Sequence, residues 1–498
     1  MHNDGKTLFI DGEWRAARAG ETFVSANPAR RSDVIGKFAL GRRADVEDAV
    51  AAAAAAYPKW RRTPTPARAS MLTRMGQLLT DRKEEIARLM VREMGKVIVE
   101  ARGDVQEAID MAFYMAGFGR MPNGSVVPSE RADVYCFAER VPVGVVGLIT
   151  PWNFPIAIPS WKMFPALLAG NTVVLKPAED TPALATVFVD LMAQAGFPKG
   201  VVNLVTGDGP STGAALVDSP GVSTISFTGS TEIGRTIAAR CGASMKRVSC
   251  ELGGKNAIVV LDDANLELAV KGVLWSAFGT SGQRCTAASR VIVDLAVMPE
   301  FRKRLVERTE ALIVGDGIDP GVEIGPVVNA SQLARIARYV DIGRSEGAKV
   351  IVGGTILNAG ALADGSFYAP TILGDVMPSM RVAQEEIFGP VTALIEASGL
   401  GEAVEIANGT NYGLSLSIYT CDVSRAFSAM RDLESGIVYV NLPTSGAEIQ
   451  LPFGGVKQTG NGHREAGWMA MDYCTEWKSV YVNYSGSAEL VRAQIDTQ

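Results

Sequence analysis

The pattern of apolar and polar positions divides the chain into a helical first part and two longer stretches in which strands and helices alternate. Residues 1–43 predict short strands and turns, because the apolar run at residues 8–10 stops at Asp11-Gly12, a turn signal. Apolar positions at helical spacing then predict three helices, over residues 45–57, 67–94 and 105–118. The chain therefore opens as strands followed by helices.

Runs rich in Val, Ile and Leu follow, and they alternate with helical patterns. The predicted strands of this first stretch are residues 143–150, 172–175, 202–205, 224–227 and 257–261, and the predicted helices are 181–195, 211–217 and 231–241. This alternation predicts a parallel sheet covered on both faces. A second α/β stretch runs from 265 to about 440, with its clearest strands at 290–293, 350–352, 391–395, 416–419 and 436–440.

A predicted hairpin and the C-terminal tail lie outside this alternation. Residues 131–141 interrupt the order of strands, and we interpret them as part of a hairpin that leaves the first domain. The tail at 474–484 is again typical of a strand and is able to pair with that hairpin. No internal repeat is evident and no long linker separates the halves, so we expect interleaved domains.

The composition then limits the class of protein. A chain of 498 residues is too long for one ordinary core, so two or three domains are expected. A net charge of −6 gives no basic footprint for nucleic acid or an anionic membrane. No apolar run of about 18 residues predicts a membrane span. Charged and polar residues in the first 14 positions argue against a signal peptide.

Cysteine and histidine usage limits the class further. The six cysteines show no C-x-x-C pair and no regular spacing, which argues against a disulfide framework or a zinc site. We therefore expect a protein of a reducing compartment, the cytoplasm, with no bound metal. The two histidines, His2 and His463, nearly exclude a histidine-based catalytic dyad.

One cysteine stands in an unusual setting. The stretch Gly279-Thr280-Ser281-Gly282-Gln283-Arg284-Cys285-Thr286 places it among small and polar residues, directly after the apolar segment 273–278. A structural cysteine normally lies in an apolar run, where burial keeps it inert. Here the glycines allow backbone N–H groups to approach the sulfur, and Arg284 is adjacent. Taken alone, the stretch still fits a buried bystander better than a catalytic thiol.

Two other segments offer groups for the same chemistry. Glu251 precedes Gly-Gly and a predicted strand, so it can approach a reaction centre closely, and partial burial would raise its pKa towards that of a useful base. A surface carboxylate is the simpler alternative. Asn153, in Pro151-Trp152-Asn153-Phe154-Pro155, follows a predicted strand, where ligands bind in open α/β sheets. Its amide suits an oxyanion; the alternative is a proline-framed turn.

Three segments have patterns suited to a dinucleotide. Lys176 and Glu179 follow a predicted strand and could hydrogen-bond an adenosine ribose, with Glu179 repelling a 2′-phosphate. The segment from Phe227 to Gly234 gives a strand, a glycine turn and a helix N-terminus, which suits a pyrophosphate. It is not G-x-G-x-x-G, so by itself it is weak. Glu385-Glu386-Ile387-Phe388 offers a carboxylate and an aromatic ring for a nicotinamide ribose and ring.

Together these segments resemble the aldehyde dehydrogenase superfamily over residues 8–484. The P-W-N-F-P turn, F-T-G-S, the glutamate motif, G-Q-R-C-T and E-I-F-G-P occur in order, and the spacing from Glu251 to Cys285 is the family's. The resemblance implies an α/β fold with three domains and a homodimer or homotetramer. These are a Rossmann-like NAD-binding domain (1–120 and 143–254), an α/β catalytic domain (255–458) and a small β bridging domain for oligomerisation (121–142 and 472–498).

The resemblance also implies roles for single residues. Cys285 would be the nucleophile that forms a thiohemiacetal and then a thioester, Asn153 would hold the oxyanion, and Glu251 would activate the hydrolytic water. The implied cofactor is NAD, with NADP possible, at Ile149, Trp152, Lys176, Glu179, Gly209, Phe227, Gly229, Ser230, Gly234, Leu252, Glu386 and Phe388. The implied substrate residues are Glu107, Phe154, Trp161, Arg284, Thr286 and Phe453.

The charged positions near the cysteine bear on the aldehyde. Arg284 and Glu107 match positions that bind the charged end of the substrate in antiquitin-like aminoadipate semialdehyde dehydrogenases. Pro151-Trp152 and the Lys176-Pro177-Ala178-Glu179 segment instead resemble ordinary members, including 2-oxoglutarate semialdehyde dehydrogenases. We therefore expect a semialdehyde that carries a carboxylate. The alternative is that both side chains are structural, with Arg284 paired to a carboxylate away from the substrate.

Four other functions can be compared with the oxidation of a semialdehyde. A CoA-acylating semialdehyde dehydrogenase is the nearest alternative, but the glutamate at the position of Glu251 is commonly absent from that type. A broad-specificity aldehyde dehydrogenase also remains open. A cysteine hydrolase needs a histidine base, and His463 lies in a turn-like stretch. A catalytically silent scaffold does not fit the intact Cys285, Glu251 and Asn153.

Overall fold

Two seven-stranded sheets organise the structure, a computed structural model that describes residues 4–486. The strands, in chain order, are β1 Leu8–Ile10, β2 Glu13–Arg15, β3 Thr22–Asn27, β4 Arg30–Ala39, β5 Gly124–Val127, β6 Val134–Pro142, β7 Val145–Ile149, β8 Thr172–Lys176, β9 Val202–Leu204, β10 Thr224–Thr228, β11 Arg247–Glu251, β12 Asn256–Val260, β13 Ala288–Asp294, β14 Lys349–Val352, β15 Ile356–Leu357, β16 Phe367–Tyr368, β17 Thr371–Gly374, β18 Val391–Ala397, β19 Tyr412–Gly413, β20 Ser415–Tyr419, β21 Ile437–Val440, β22 Val456–Lys457 and β23 Thr475–Asn483.

Helices cover these sheets. They are α1 Arg43–Trp60, α2 Thr65–Asp81, α3 Lys83–Met94, α4 Ile98–Gly117, α5 Ala157–Ala169, α6 Pro182–Gln194, α7 Ala214–Asp218, α8 Thr231–Ala243, α9 Leu266–Phe278, α10 Met298–Glu310, α11 Ala330–Glu346, α12 Arg381–Gln384, α13 Leu400–Asn408 and α14 Val423–Asp432. No helix within residues 4–486 combines the length and the apolar character that a membrane span requires.

The first sheet has the strand order β11-β10-β7-β8-β9-β1-β2. The strands from β11 to β9 run parallel, and β1 is antiparallel to both of its neighbours. Every residue of β7, β8 and β10 is buried, as expected when helices cover both faces of a parallel sheet. The predicted doubly covered sheet is therefore confirmed.

The second sheet has the order β14-β17-β18-β13-β12-β20-β21, with β14 as its antiparallel edge. The apolar run at 257–261, grouped by its position along the chain with the first stretch, belongs here instead, because β12 pairs with β13 and β20. The short link from Leu252 to Lys255 carries the chain from one sheet to the other. An apolar strand pattern does not reveal which sheet a strand joins, so only the pairing decides this point.

The predicted pairing between the hairpin and the tail is confirmed. β5 and β6 form the hairpin, and β23 pairs antiparallel with β6 from Thr475 opposite Pro142 to Asn483 opposite Val134. These strands form a separate three-stranded sheet. The predicted bridging segment 472–498 extends beyond it, and residues 487–498 lie outside the described part of the chain.

The single helix predicted over residues 67–94 is wrong. Two helices, α2 and α3, meet at Arg82, whose φ of −108° and ψ of 13° are not helical. Residues 81–85 are all charged, so the spacing of apolar positions carries no mark of the break. The sequence also missed α5, because twelve of its thirteen residues are buried and a helix buried all round has no polar face.

Candidate active site

The carboxyl ends of two strands of the first sheet reach a cavity of about 260 Å³ between the two halves of the chain. β10 ends at Thr228 and β11 ends at Glu251, and both residues line the cavity. Cys285, on the loop between α9 and β13, lines it as well. Folding thus brings together the two residues that the sequence proposed as base and nucleophile.

Glu251 is almost fully buried, with 2% of its surface exposed. Its Oε1 atom has no hydrogen-bond partner within the described residues. Burial raises the pKa of this carboxyl well above its usual value, and the nearby Glu465 carboxylate raises it further. A carboxyl in this environment holds a proton at a pH where an ordinary glutamate has lost it.

Cys285 follows a turn with an unusual backbone. The turn Gly279–Gly282 comes directly after α9, and Thr280 and Ser281 within it have left-handed φ values of 51° and 56°. This conformation costs an L-residue other than glycine about 1–2 kcal/mol, so other contacts must hold the turn. Burial raises the pKa of the Cys285 thiol well above its usual value, and Glu251 adds to the effect.

Two asparagine amides hold the cysteine loop on the other side. Asn153, on the turn after β7, donates from Nδ2 to the Gln283 carbonyl at 3.1 Å. Asn256, the first residue of β12, donates to the Cys285 carbonyl at 2.6 Å. Gly254, two residues before Asn256, also lies close to this carbonyl. A Cβ at Gly254 would be 2.7 Å from the Cys285 carbonyl oxygen, so the close approach requires glycine.

A second buried carboxylate lies beside the first. Glu465 lines the cavity and forms an ion pair with Lys162 of α5, whose Nζ also donates to the Ser226 hydroxyl at 2.8 Å. Thr228 donates to the same Glu465 carboxylate at 3.2 Å. Neither member of the pair was predicted from the sequence. They lie 303 positions apart and carry no local motif, so no pattern in the sequence marks them.

All six residues predicted to contact the substrate line this same cavity: Glu107, Phe154, Trp161, Arg284, Thr286 and Phe453. The rings of Trp161 and Phe453 pack with their centroids 4.9 Å apart. They form an apolar wall near the cysteine, whereas the charged members lie towards α4. An apolar region and a charged region are thus present in one cavity.

Arg284 is buried and already has a partner. Its Nη2 lies 2.9 Å from Oε1 of Glu100, and its Nε donates to the Thr280 hydroxyl at 3.0 Å. Its guanidinium also lies over the ring of Trp275, 4.5 Å from the centroid. Its Nη1 forms no hydrogen bond within residues 4–486, and this nitrogen lies beside Gly279, where a Cβ would be 3.0 Å away.

Further charged groups of the cavity come from the segment that leads into and through α4. Lys96 forms a buried ion pair with Asp104 at 2.7 Å, and its Nζ lies 3.6 Å from the centroid of the Phe154 ring. Glu107 forms no ion pair within the described residues, and burial raises its pKa to about 8, with Asp104 adding to the effect. Glu100 and Asp104 were not predicted from the sequence, although with Glu107 they follow the i, i+4, i+7 spacing of one helix face.

The predicted cofactor residues lie along the same edge of the first sheet. Ile149 and Lys176 end β7 and β8, and Phe227 lies one residue before the end of β10. Lys176 Nζ lies 3.3 Å from Oε2 of Glu179, whose side chain is half exposed at 51%. The exposed Gly209 begins the helical turn Gly209–Gly213 after β9, and the buried Gly213 at its end lies beside Lys176.

Helix α8 lies against the end of β11. Gly229 and Ser230 lead into this helix, and a Cβ at Gly234 would lie 2.2 Å from the Leu252 side chain, so only glycine permits this approach. The remaining predicted residues come from the second half of the chain. Glu386 accepts from the Gly254 N–H at 3.0 Å, and the Phe388 ring packs edge-on against Trp152 with centroids 5.4 Å apart.

Comparison with known proteins agrees with the resemblance to aldehyde dehydrogenases over nearly the whole chain. The sequence model of the aldehyde dehydrogenase family matches residues 14–480. An alpha-ketoglutaric semialdehyde dehydrogenase of Bacillus subtilis is 41% identical over 95% of this chain and 97% of its own. A 2,5-dioxopentanoate dehydrogenase of Saccharolobus solfataricus is 39% identical over 93% and 96%.

A solved structure shows the same fold. Betaine aldehyde dehydrogenase of Staphylococcus aureus, in complex with NAD⁺, superposes with a TM-score of 0.95 at 32% identity, over 99% of this chain and 97% of its own. The family match, the relatives and the shared fold agree with the cavity that holds Cys285 and Glu251. The chain therefore belongs to the aldehyde dehydrogenase family of oxidoreductases that act on aldehydes.

Proposed function

We propose that the protein oxidises a carboxylate-bearing semialdehyde to the carboxylic acid, with NAD⁺ as the hydride acceptor and Cys285 as the nucleophile. One observation carries the proposal: Cys285, Glu251 and all six predicted substrate residues line a single cavity of about 260 Å³. A cavity of that size suits a small aldehyde with a few polar groups.

The chemistry begins when the Cys285 thiol loses its proton to solvent water and the thiolate sulfur attacks the aldehyde carbon. A C–S bond forms, and the carbonyl oxygen becomes an oxyanion that the Cys285 N–H and an Asn153 amide N–H hold. Asn153 uses one Nδ2 hydrogen on the Gln283 carbonyl and has a second for this purpose. Losing one such donor typically costs on the order of 10² to 10³ in rate.

Glu251 has the properties of the base for the second half of the reaction. When bound, NAD⁺ would supply the acceptor for the hydride of the first adduct, and Cys285 would then carry the acyl group as a thioester. A water molecule then attacks the thioester carbon while Glu251 takes its proton, the C–S bond breaks, and the acid leaves. The raised pKa of Glu251 suits this step, because a carboxylate of higher pKa is a stronger base towards the proton of the attacking water.

The residues along the first sheet fit a dinucleotide. Helix α8 begins directly after the exposed Ser230, which has no side-chain cap bond, so the first N–H groups of the helix can bind a pyrophosphate. Lys176 and Glu179, already 3.3 Å apart, can bind the adenosine ribose hydroxyls. Glu386 and Phe388 lie at the other end, beside Gly254 and Trp152, where a nicotinamide ribose and ring would reach Cys285. We propose NAD⁺ rather than NADP⁺ because Glu179 would repel the 2′-phosphate.

Two observations support a carboxylate on the substrate. The unoccupied Nη1 amine of Arg284 belongs to a residue that lines the cavity, and a guanidinium matches a carboxylate in geometry. Two relatives, named for alpha-ketoglutaric semialdehyde and for 2,5-dioxopentanoate, align over more than nine-tenths of the chain. We therefore propose a small 2-oxo acid semialdehyde as the substrate class.

We propose further that the protein is a homodimer or homotetramer in the cytoplasm. The three-stranded sheet offers the exposed side chains Val126, Trp477 and Tyr481 for contact with a second copy. All six cysteines are free, as expected in a reducing compartment. Sedimentation of the purified protein measures the oligomeric state, and a monomer would contradict that part of the proposal.

The experiment that tests the function follows NADH formation from a panel of aldehydes. The wild-type protein should oxidise 2-oxoglutarate semialdehyde to the free acid with NAD⁺ and without coenzyme A. Cys285→Ala should form no NADH. Steady turnover by Cys285→Ala, or a dependence on coenzyme A with an acyl-CoA product, would contradict the proposal.

A further inference from the structure

The turn before the nucleophile needs support from outside, because three consecutive residues are left-handed. Thr280, Ser281 and Gly282 have φ values of 51°, 56° and 67°. Glycine accepts this conformation, but a β-branched residue such as threonine adopts it rarely. The chain has therefore kept a strained turn a few residues before Cys285, and some interaction must hold it.

Glu100 of α4 provides the support. Both of its carboxylate oxygens accept from the Thr280 N–H at 2.9 Å, and Oε2 also accepts from the Thr280 hydroxyl at 3.1 Å. The same carboxylate pairs with Arg284 at 2.9 Å. Arg284 in turn donates to the Thr280 hydroxyl at 3.0 Å, which closes a ring of contacts among the three side chains.

This ring is almost dry. Glu100 is 8% exposed and Arg284 is 6% exposed, so their charge-assisted hydrogen bonds face little competition from water. The guanidinium also packs against Gly279, where a Cβ would lie 3.0 Å from its atoms. The turn is thus held at Thr280 and again at Arg284, the residue directly before the nucleophile.

We propose that Glu100 is a positioning residue for Cys285. By holding Thr280 in its left-handed conformation and fixing Arg284, it sets the direction in which the Cys285 sulfur and N–H face the cavity. Asn153 and Asn256 hold the following residues from the opposite side, on the carbonyls of Gln283 and Cys285. Glu100 therefore acts on the reaction through the loop, without contact with the aldehyde carbon. The inference rests on the proposed role of Cys285 as nucleophile.

The test compares Glu100→Gln and Glu100→Ala with wild type. A displacement of the nucleophile by about 1 Å can lower the rate by about 10²-fold, so kcat should fall by about 10- to 100-fold in Glu100→Ala. The fall should be smaller in Glu100→Gln, because the amide keeps one acceptor oxygen. The fall in kcat should extend to neutral aldehydes, which have no carboxylate for Arg284 to bind. Asp110→Asn removes an exposed carboxylate from the same helix and should stay within about twofold of wild type.

A second readout does not depend on turnover. Alkylation of Cys285 by iodoacetamide, measured against pH, reports the environment of the sulfur. A loosened loop lets water reach the thiol, so the midpoint of the profile should move down towards about 8.5, the value of a free thiol. Thermal melting of each variant shows whether it is folded. This readout still tests Glu100 if the proposed oxidation itself is not observed.

A rescue variant tests the cause. In Glu100→Ala, the further change Thr280→Gly removes the strain that Glu100 offsets, so the double variant should recover part of the lost kcat and move the alkylation midpoint back up. If Glu100→Ala does not fold, the pair Glu100→Gln and Glu100→Gln/Thr280→Gly gives the same comparison. Activity and midpoint of Glu100→Gln equal to wild type, or no recovery with glycine, would overturn the proposal.

Discussion

The guanidinium of Arg284 and the carboxylate of Glu100 lie 2.9 Å apart, so the charge next to the nucleophile is paired before any substrate enters. This pair bears on both interpretations of Arg284 that the sequence left open. Two amines of the arginine hold the loop, and the third, Nη1, faces no acceptor within the described residues. One side chain can therefore hold the loop and also bind the substrate.

The first prediction separates these two roles of Arg284. Arg284→Ala should slow every aldehyde through the loop, but a carboxylated semialdehyde should lose its binding partner as well. Truncating one member of a desolvated charge pair costs about 2–5 kcal/mol, so the ratio of kcat/KM for 2-oxoglutarate semialdehyde over propanal should fall by roughly 30-fold or more. Steady-state kinetics on both aldehydes measure the ratio. An unchanged ratio would show that Arg284 holds the loop alone.

The second prediction concerns Glu251. Glu251→Gln retains the shape of the side chain but cannot accept a proton, so acylation of Cys285 should continue while hydrolysis slows. A stopped-flow trace should show one burst of NADH per active site, followed by turnover about 10²- to 10⁴-fold slower than in wild type. Acid quenching should recover the acylated chain by mass spectrometry. Full steady turnover without a burst would exclude Glu251 as the base.

The third prediction concerns the choice between NAD⁺ and NADP⁺. The half-exposed Glu179 would bring its negative charge close to a 2′-phosphate, so wild type should prefer NAD⁺. Glu179→Gln removes that repulsion and should shift the ratio of kcat/KM towards NADP⁺ by about tenfold, which corresponds to about 1.4 kcal/mol. If wild type already prefers NADP⁺, or the ratio is unchanged in the variant, Glu179 does not contact the ribose.

The fourth prediction is a pH dependence of stability that comes from Glu107. Burial raises its pKa in the folded protein to about 8, whereas an unfolded glutamate has a pKa of about 4.3. Between these values the folded protein holds a proton that the unfolded chain releases, so the contribution of this residue to stability falls as the pH rises from about 4.3 to about 8.

The measurement compares the melting temperatures of wild type and Glu107→Gln. The variant carries no titrating proton at this position. The Tm of the variant minus that of wild type should therefore increase from pH 5 to pH 8. Asp110→Asn, an exposed change on the same helix, should show no such trend. A difference between wild type and Glu107→Gln that stays constant with pH would show that Glu107 titrates near its ordinary value.

The features of the fold that the sequence predicted correctly come mostly from short, local patterns. Apolar strands bounded by turns located β7, β8 and β10, because complete burial leaves an unbroken run of Val, Ile and Leu. The motifs around Asn153, Glu251 and Cys285 predicted the reacting groups through their resemblance to the aldehyde dehydrogenase superfamily, since each segment alone also fitted a structural role. The predicted pairing of the β-like tail with the hairpin was also correct, because β23 pairs with β6.

Only the tertiary structure decided which groups face those residues. Lys162 and Glu465 lie 303 positions apart, and Glu100 reaches Thr280 from 180 positions away, so no periodicity records either contact. The sheet that β12 joins was likewise settled by pairing, because its apolar pattern fits either sheet. The physical reason is the same in each case: a pattern along the chain reports burial and local geometry, whereas charge pairing and pKa depend on atoms that only folding brings together.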